Sequence, residues 1–332
     1  MEILNLIECF LYAFFFSLVI SPAIISLMKR EKIKQTILHY VDSHKNKNGT
    51  PTMGGLIFLV AIAVVSLICF QGKSSYAKMV VYIFLAYGVV GFLDDFIKFR
   101  FKRNLGLRAY QKIIFQLLVS LVVGLFVYKN IGGVILIPFT NHIVDLGWWI
   151  IPLVVLIYLA TTNSVNLTDG LDGLASSTTL IFMLSFVVLQ MIFINKGILV
   201  SNVSNIEELK NLTIVSVVAC GGLLSFLLFN CFPAKIFMGD TGSLALGSLM
   251  ASVSIFSGME LFIPILGVVF VASAVSVILQ VAYYKLTKKR IFLMAPLHHH
   301  FEKKGVHEVR ITFCYALVSL MVGIFVILFN IL

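Results

Sequence analysis

The sequence predicts an all-α polytopic membrane protein, a single integral membrane domain over residues 1–332, and three observations predict it. Hydrophobic residues make up 60% of the chain and charged residues only 12%, with a mean hydropathy of +1.03; soluble domains are roughly a quarter charged. The apolar residues gather in runs of about 17 to 25, long enough to cross a bilayer as helices. The alternation expected of barrel strands is absent, so backbone groups in lipid have to be satisfied within helices.

Taken in order, about ten spans are expected: 3–28, 53–71, 77–97, 113–129, 147–163, 175–195, 211–229, 242–257, 260–284 and 311–331. Met1 to Met28 reads as a first span and not a cleavable leader, since Glu2 and Glu8 stand where a basic leader would lie. Pro22 is expected to kink it. Residues 130–146, with GGVILIPF and HIVDLGW, suggest a small hairpin, and 196–210 a polar loop. Of the 25 Lys and Arg residues, all but Lys73, Lys78, Lys129, Lys196 and Lys210 fall in alternate connections. Positive charge stays inside, so both termini are placed outside and the charged connections face the cytoplasm.

The formal charge of +10 is therefore mostly cytoplasmic, suited to an anionic lipid surface. With no basic domain standing clear of the membrane, nucleic-acid binding is not expected. Cys9, Cys69, Cys220, Cys231 and Cys314 lack metal-ligand spacing and read as packing residues.

The polar information lies in five inner connections. Asp94 and Asp95 close the third span ahead of Lys98 and Arg100. Neighbours on a helix point about 100° apart, so the two acids can divide labour; alternatively they pair with the basic residues that follow. In NSVNLTDGLDGLA, Asn163, Asn166, Asp169 and Asp172 recur every third residue along one side of a helix or tight turn, and Gly170 and Gly173 allow close backbone approach. A cap for the sixth span needs one such residue, and here there are four. In GDTGS, Asp240 at the start of a helix suits a divalent cation bridging to phosphate, or simply an N-cap. His298, His299 and His300 in PLHHHFEKKG have no cysteine beside them, which argues against structural zinc and for hydrogen bonding near a diphosphate. GTPTMGG is not a Walker A loop, and its glycines suit close helix packing. Five acids, Asp94, Asp95, Asp169, Asp172 and Asp240, surrounded by lysines and histidines form the inventory of metal-assisted phosphoryl transfer.

GTPTMGG, GFLDDFIK, NSVNLTDGLDGLA, NCFPAKIFMGDTGSLALG and APLHHHFEKKG together resemble the phospho-N-acetylmuramoyl-pentapeptide transferases, within the polyprenyl-phosphate N-acetylhexosamine-1-phosphate transferase superfamily. The resemblance implies transfer from UDP-MurNAc-pentapeptide to undecaprenyl phosphate, with Mg2+, at the inner face of a bacterial plasma membrane, and a homodimer. It places Asp94, Asp95 and Asp240 on the family's essential acids and His298 to His300 on its histidine motif. It places Lys47, Thr52, Asn166, Asp169, Gly170, Leu171, Asp172, Asn230, Phe237 and Gln280 on the nucleoside and diphosphate side, and Lys112 and Gln116 in a basic stretch. Asp240, shared with Asp94, is the expected metal site. KQTILHYVDSH departs from the family's arginine- and Gly-Pro-containing stretch. Two rivals remain: a related transferase passing GlcNAc-1-phosphate to the same lipid, and an ion-coupled transporter using intramembrane acids.

Overall fold

The computed structural model describes residues 3–31, 49–72, 74–101, 106–140, 142–197 and 206–331. The divergent stretch at 34–44, and Lys47, lie outside them.

Each of the ten predicted runs holds a helix. In chain order these are α1 (Ile3–Arg30), α2 (Gly55–Cys69), α3 (Tyr76–Arg100), α4 (Ala109–Asn130), α5 (Ile150–Thr168), α6 (Leu174–Lys196), α7 (Ile206–Asn230), α8 (Gly239–Phe256), α10 (Val268–Thr287) and α12 (Glu308–Ile331). Two shorter helices, α9 (Ile263–Leu266) and α11 (Leu297–Lys303), lie between the last three. Among the described residues eight helices are long and apolar enough to cross a membrane. The other two long ones are α2, with 15 residues, and the serine-rich α8, with 18. At 1.5 Å per residue α2 extends only about 22 Å.

The hairpin expected between α4 and α5 is present. β1 (Val134–Leu136) pairs antiparallel with β2 (Ile143–Asp145), Val134 opposite Asp145. The run 260–284 is not one helix. Pro264 sits in the first turn of α9 and Gly267 ends it, so a 3-10 turn at Glu260–Phe262 and α9 precede α10. Proline cannot donate within a continuing helix and glycine weakens it, which is why an apolar run alone misjudged this segment.

α8 is the axis of the bundle: every residue from Thr241 to Phe256 is buried. It lies against α3, α5 and α2. Small residues make that approach possible. A methyl group on Gly247 would stand 2.5 Å from Thr162 Cα, and one on Gly242 would stand 2.9 Å from Gly55 Cα. The buried serines return their hydroxyls to the preceding turn, Ser252 to Ser248 O at 2.6 Å and Ser254 to Met250 O at 2.8 Å, so they add no unmet polar group. Across the α5 interface Tyr158 shares a 2.7 Å hydrogen bond with Ser252 Oγ and stacks on Tyr87 at 5.7 Å. By contrast α1, α4 and α12 keep rows of exposed large apolar side chains such as Leu118, Val122, Met321 and Leu328, the surface expected against lipid.

Two helix N-termini are closed by acids from other helices. At one end of the bundle Glu208 of α7 accepts hydrogen bonds from Ser75 N at 2.8 Å and Tyr76 N at 3.2 Å, at the start of α3. At the opposite end Asp95 does the same for α8.

Candidate active site

The C-terminal ends of α3 and α5 and the N-terminal ends of α4 and α8 meet at one end of the bundle, and the charged side chains converge there. Carboxylate oxygens of Asp94, Asp95 and Asp240 lie within 4.8 Å of one another. Asp94 and Asp95 are buried, and Asp240 is 15% exposed.

The neighbouring acids Asp94 and Asp95 divide their work as helical spacing predicts. Asp95 is turned toward α8: Oδ1 accepts from Asp240 N at 3.2 Å, and Oδ2 accepts from Thr241 N at 2.9 Å and Thr241 Oγ1 at 2.7 Å. An anion here satisfies first-turn amides and opposes the positive end of the helix dipole. Asp94 instead faces basic side chains. Its Oδ2 is 2.6 Å from Lys98 Nζ, its Oδ1 is 3.5 Å from Lys112 Nζ, and Oδ1 also accepts from Leu107 N at 2.8 Å.

Asp240, the second residue of α8, is not that helix's cap. Its carboxylate points away from the helix, with Oδ2 at 2.6 Å from Lys112 Nζ and 3.1 Å from Lys98 Nζ. Its Oδ1 accepts from Asn166 Nδ2 at 2.8 Å, and the same amide nitrogen lies 2.8 Å from Ser243 Oγ. Lys98 reaches Asp95 as well, at 3.7 Å. Three carboxylates and two ammonium groups thus share one cluster. The pairing of acids with following basic residues is real at Lys98, but it extends across three helices instead of closing one.

Glycines set this geometry. Gly239 adopts φ +72°, where a side chain is strained, and an added methyl would stand 2.5 Å from Asp95 Oδ2 and 3.0 Å from Thr52 Oγ1. Gly91 lies directly beneath the Asp240 main chain, with no room for a Cβ. The GTPTMGG string is laid against the start of α8: Phe237 N donates to Pro51 O at 2.9 Å, Gly54 N to Phe237 O at 2.8 Å, and Gly55 N to Met238 O at 2.9 Å. This places Thr52 beside Gly239 and Asp95.

The NSVNLTDGLDGLA string forms the end of α5, a turn, and the start of α6, with Gly173 left-handed at φ +71°. Asn163 donates to Gln116 Oε1 at 2.8 Å and Asn166 reaches the acids. Asp169 follows α5; burial, and then the charges of Asp240, Asp95 and Asp172, push its carboxyl well above the usual range. Gly170 lies against His298 and His299, leaving no space for a side chain. Leu171 is buried, and Asp172 Oδ2 accepts from Ala234 N at 3.0 Å.

The remaining candidates brace loops around this end. Asn230 accepts from Ser176 Oγ at 2.6 Å and donates to Ile236 O at 3.0 Å, shaping the segment that carries Phe237. Gln280 Oε1 accepts from Ile291 N at 3.1 Å and Phe292 N at 2.9 Å. The histidines occupy α11, so they point in different directions. His298 is fully buried beside His299 and Tyr315, His299 Nδ1 is 2.9 Å from Glu302 Oε2, and His300 Nδ1 accepts from Leu293 N at 3.1 Å. Sequence reasoning left Lys98, Thr241 and Ser243 out of the site. Lys98 had a signal, one helical turn beyond Asp94; the other two had only their nearness to Asp240.

Fold and site define a polytopic helical membrane protein with the charged inventory of a phosphoryl transferase. Residues 76–258 match the glycosyl transferase family 4 model, and residues 47–59 match signature 1 of phospho-N-acetylmuramoyl-pentapeptide-transferase. The chain is 44% identical over 326 residues to the phospho-N-acetylmuramoyl-pentapeptide-transferase of Clostridium botulinum (strain Eklund 17B / Type B), covering 97% of this chain and 96% of the relative. It is 45% identical to that of Caldanaerobacter subterraneus subsp. tengcongensis over 84% of each chain, and 42% identical to that of Clostridioides difficile (strain 630) over 94% of each. The chain belongs to the phospho-N-acetylmuramoyl-pentapeptide-transferase family.

Proposed function

We propose that this protein transfers phospho-MurNAc-pentapeptide from UDP-MurNAc-pentapeptide to undecaprenyl phosphate, forming lipid I and releasing UMP, in peptidoglycan biosynthesis. The observation that carries the proposal is the acid and lysine cluster at one end of a membrane bundle, in a chain 44% identical to a family member over 97% of its length. An oxygen of the acceptor phosphate attacks the sugar-linked phosphorus. The bond from that phosphorus to the bridging oxygen breaks, and UMP leaves with that oxygen.

The donor set of carboxylate oxygens fits Mg2+, which takes hard oxygen ligands. Asp240 and Asp94 would hold it, because both oxygens of Asp95 are already engaged by α8. The chemistry supplied there is neutralisation of the diphosphate and of the charge that develops on the departing UMP. Lys98 and Lys112 sit where they can meet diphosphate oxygens. Asn166 fixes the Asp240 carboxylate from the side, Asp95 fixes the main chain beneath it, and Asp94 keeps the acceptor phosphate deprotonated. Thr52, Asp169 to Asp172, Asn230, Phe237, Gln280 and the three histidines surround the donor, directly or through the loops they shape, and the family resemblance adds Lys47 to the donor side.

All ten long helices are taken to cross the membrane, with both termini outside and the cluster at the cytoplasmic face. The distribution of Lys and Arg supports that orientation. A site at this depth lets a soluble nucleotide meet a phosphate whose isoprenoid tail stays in lipid. A transporter would hold its acids near mid-span, whereas Asp94 lies near the end of α3 and Asp240 is the second residue of α8.

The test is UMP release by the purified protein with undecaprenyl phosphate, Mg2+ and either UDP-MurNAc-pentapeptide or UDP-GlcNAc. Release with the muramoyl donor alone, lost in EDTA and abolished in a folded Asp240→Asn variant, is expected. Release with UDP-GlcNAc alone would overturn the donor, and near-normal release by Asp240→Asn would overturn the role of Asp240.

A further inference from the structure

We infer that Lys98 is a resident counter-cation of the acid cluster, which an incoming divalent cation has to displace. Metal loading and release of the Lys98 ammonium toward the donor's diphosphate are then coupled. This rests on the metal reading above.

Lys98 Nζ stands 2.6 Å from Asp94 Oδ2, 3.1 Å from Asp240 Oδ2 and 3.7 Å from Asp95 Oδ1. One ammonium therefore touches Asp94 and Asp240, the two acids that would hold the metal, and Asp95 beside them. A dication bound to the same oxygens and an ammonium at these distances repel strongly, so the two cannot both hold those positions. Lys112 pairs with Asp240 and Asp94 from α4, at 2.6 and 3.5 Å, but its side chain is 18% exposed against 34% for Lys98, so it is the more enclosed of the two.

Lys98 is also able to leave. It is 34% exposed, whereas Asp94 and Asp95 are 1% and 4% exposed. The ammonium thus enters from the open side on a flexible four-carbon stem, while the acids are held by main-chain donors. A diphosphate arriving on the open side offers the displaced ammonium new anionic partners. Without it, displacement leaves Lys98 with water alone. The cluster is thereby biased to load metal fully only when donor is present. A lysine that merely organised the acids has the opposite signature: its loss would loosen the site and weaken metal binding.

The experiment measures Mn2+ binding to the purified full chain, without nucleotide, by the electron paramagnetic resonance signal of free Mn2+. Lys98→Met is expected to bind at least about tenfold tighter than wild type, the lower end of what one unit charge at this range exerts after screening; Lys98→Arg should stay near wild type. Equal or weaker binding by Lys98→Met overturns the inference and leaves the metal reading in place. Failure of wild type and Lys98→Met alike to bind Mn2+ saturably overturns both. A readout on the unaltered protein removes any dependence on how the variants fold: acylation of Lys98 by an amine-reactive ester, followed by mass spectrometry, should accelerate when Mn2+ is added. An unchanged or slower rate overturns the displacement.

Discussion

Replacing Asp95 by alanine tests whether this acid holds the active end together instead of reacting itself. Its carboxylate accepts three hydrogen bonds, from Asp240 N, Thr241 N and Thr241 Oγ1, at 3.2, 2.9 and 2.7 Å, and is 4% exposed. Hydrogen bonds to a charged group contribute about 1.5–3 kcal/mol each, and two main-chain donors of a helical first turn would be left without a partner. Part of that loss is offset, because removing a buried charge also removes its desolvation cost and its repulsion with Asp94 and Asp240. A net destabilisation of about 2–4 kcal/mol follows. Asp240→Ala is the comparison. Its partners Lys98 and Lys112 are 34% and 18% exposed, and Asn166, which also donates to Asp240, keeps Ser243 Oγ as a partner, so that loss is about 1 kcal/mol after solvent screening. Thermal unfolding of both variants in detergent, followed by intrinsic fluorescence and circular dichroism, should show Asp95→Ala melting several degrees lower. Both variants should be inactive. If Asp95→Ala melts with wild type, or no lower than Asp240→Ala, the capping role is wrong.

Gly239→Ala should cost about 1–2 kcal/mol for the left-handed backbone alone, and more from the contacts with Asp95 and Thr52. A lower melting temperature together with reduced UMP release is expected, and a wild-type melting profile would count against it. Asp169 gives a pH prediction. Its carboxyl is pushed up, so the folded chain keeps a proton that the unfolded chain releases from about pH 4 upward. The stabilisation from that bound proton is present below the unfolded value and lost as pH rises through the folded one. Asp169→Asn should therefore melt close to wild type near pH 4 and progressively above it toward pH 8. A difference that shrinks with rising pH would refute the assignment.

Much of the architecture was legible because lipid simplifies the code: a helix must be apolar for most of its length, and polar strings are left to the connections. The hairpin at 134–145 was legible from its turn-flanked β-branched residues. The break at Pro264 and Gly267 was not separated from the apolar run around it, since hydropathy is blind to backbone geometry. α8 was found as an apolar run, yet it lies within the bundle, where serine and glycine are tolerated by neighbouring helices and not by lipid; α2 is short and keeps Leu67 and Ile68 exposed. The acids of the site were legible as charges out of place in an apolar chain. Their division of labour was half legible: helical spacing separates Asp94 from Asp95, but does not say which one meets α8.

The sequence by itself pointed to the membrane setting, the helical class and Asp94, Asp95 and Asp240 as candidate site acids, because each of these follows from local composition and spacing. Only the tertiary structure decided that Asp95 closes α8, that Asp240 faces two lysines, and that Lys98 reaches all three acids. Those contacts join residues up to 146 positions apart. They depend on how closely α3, α4, α5 and α8 approach, which is set by the glycines and serines packed between them and not by any charge in the chain.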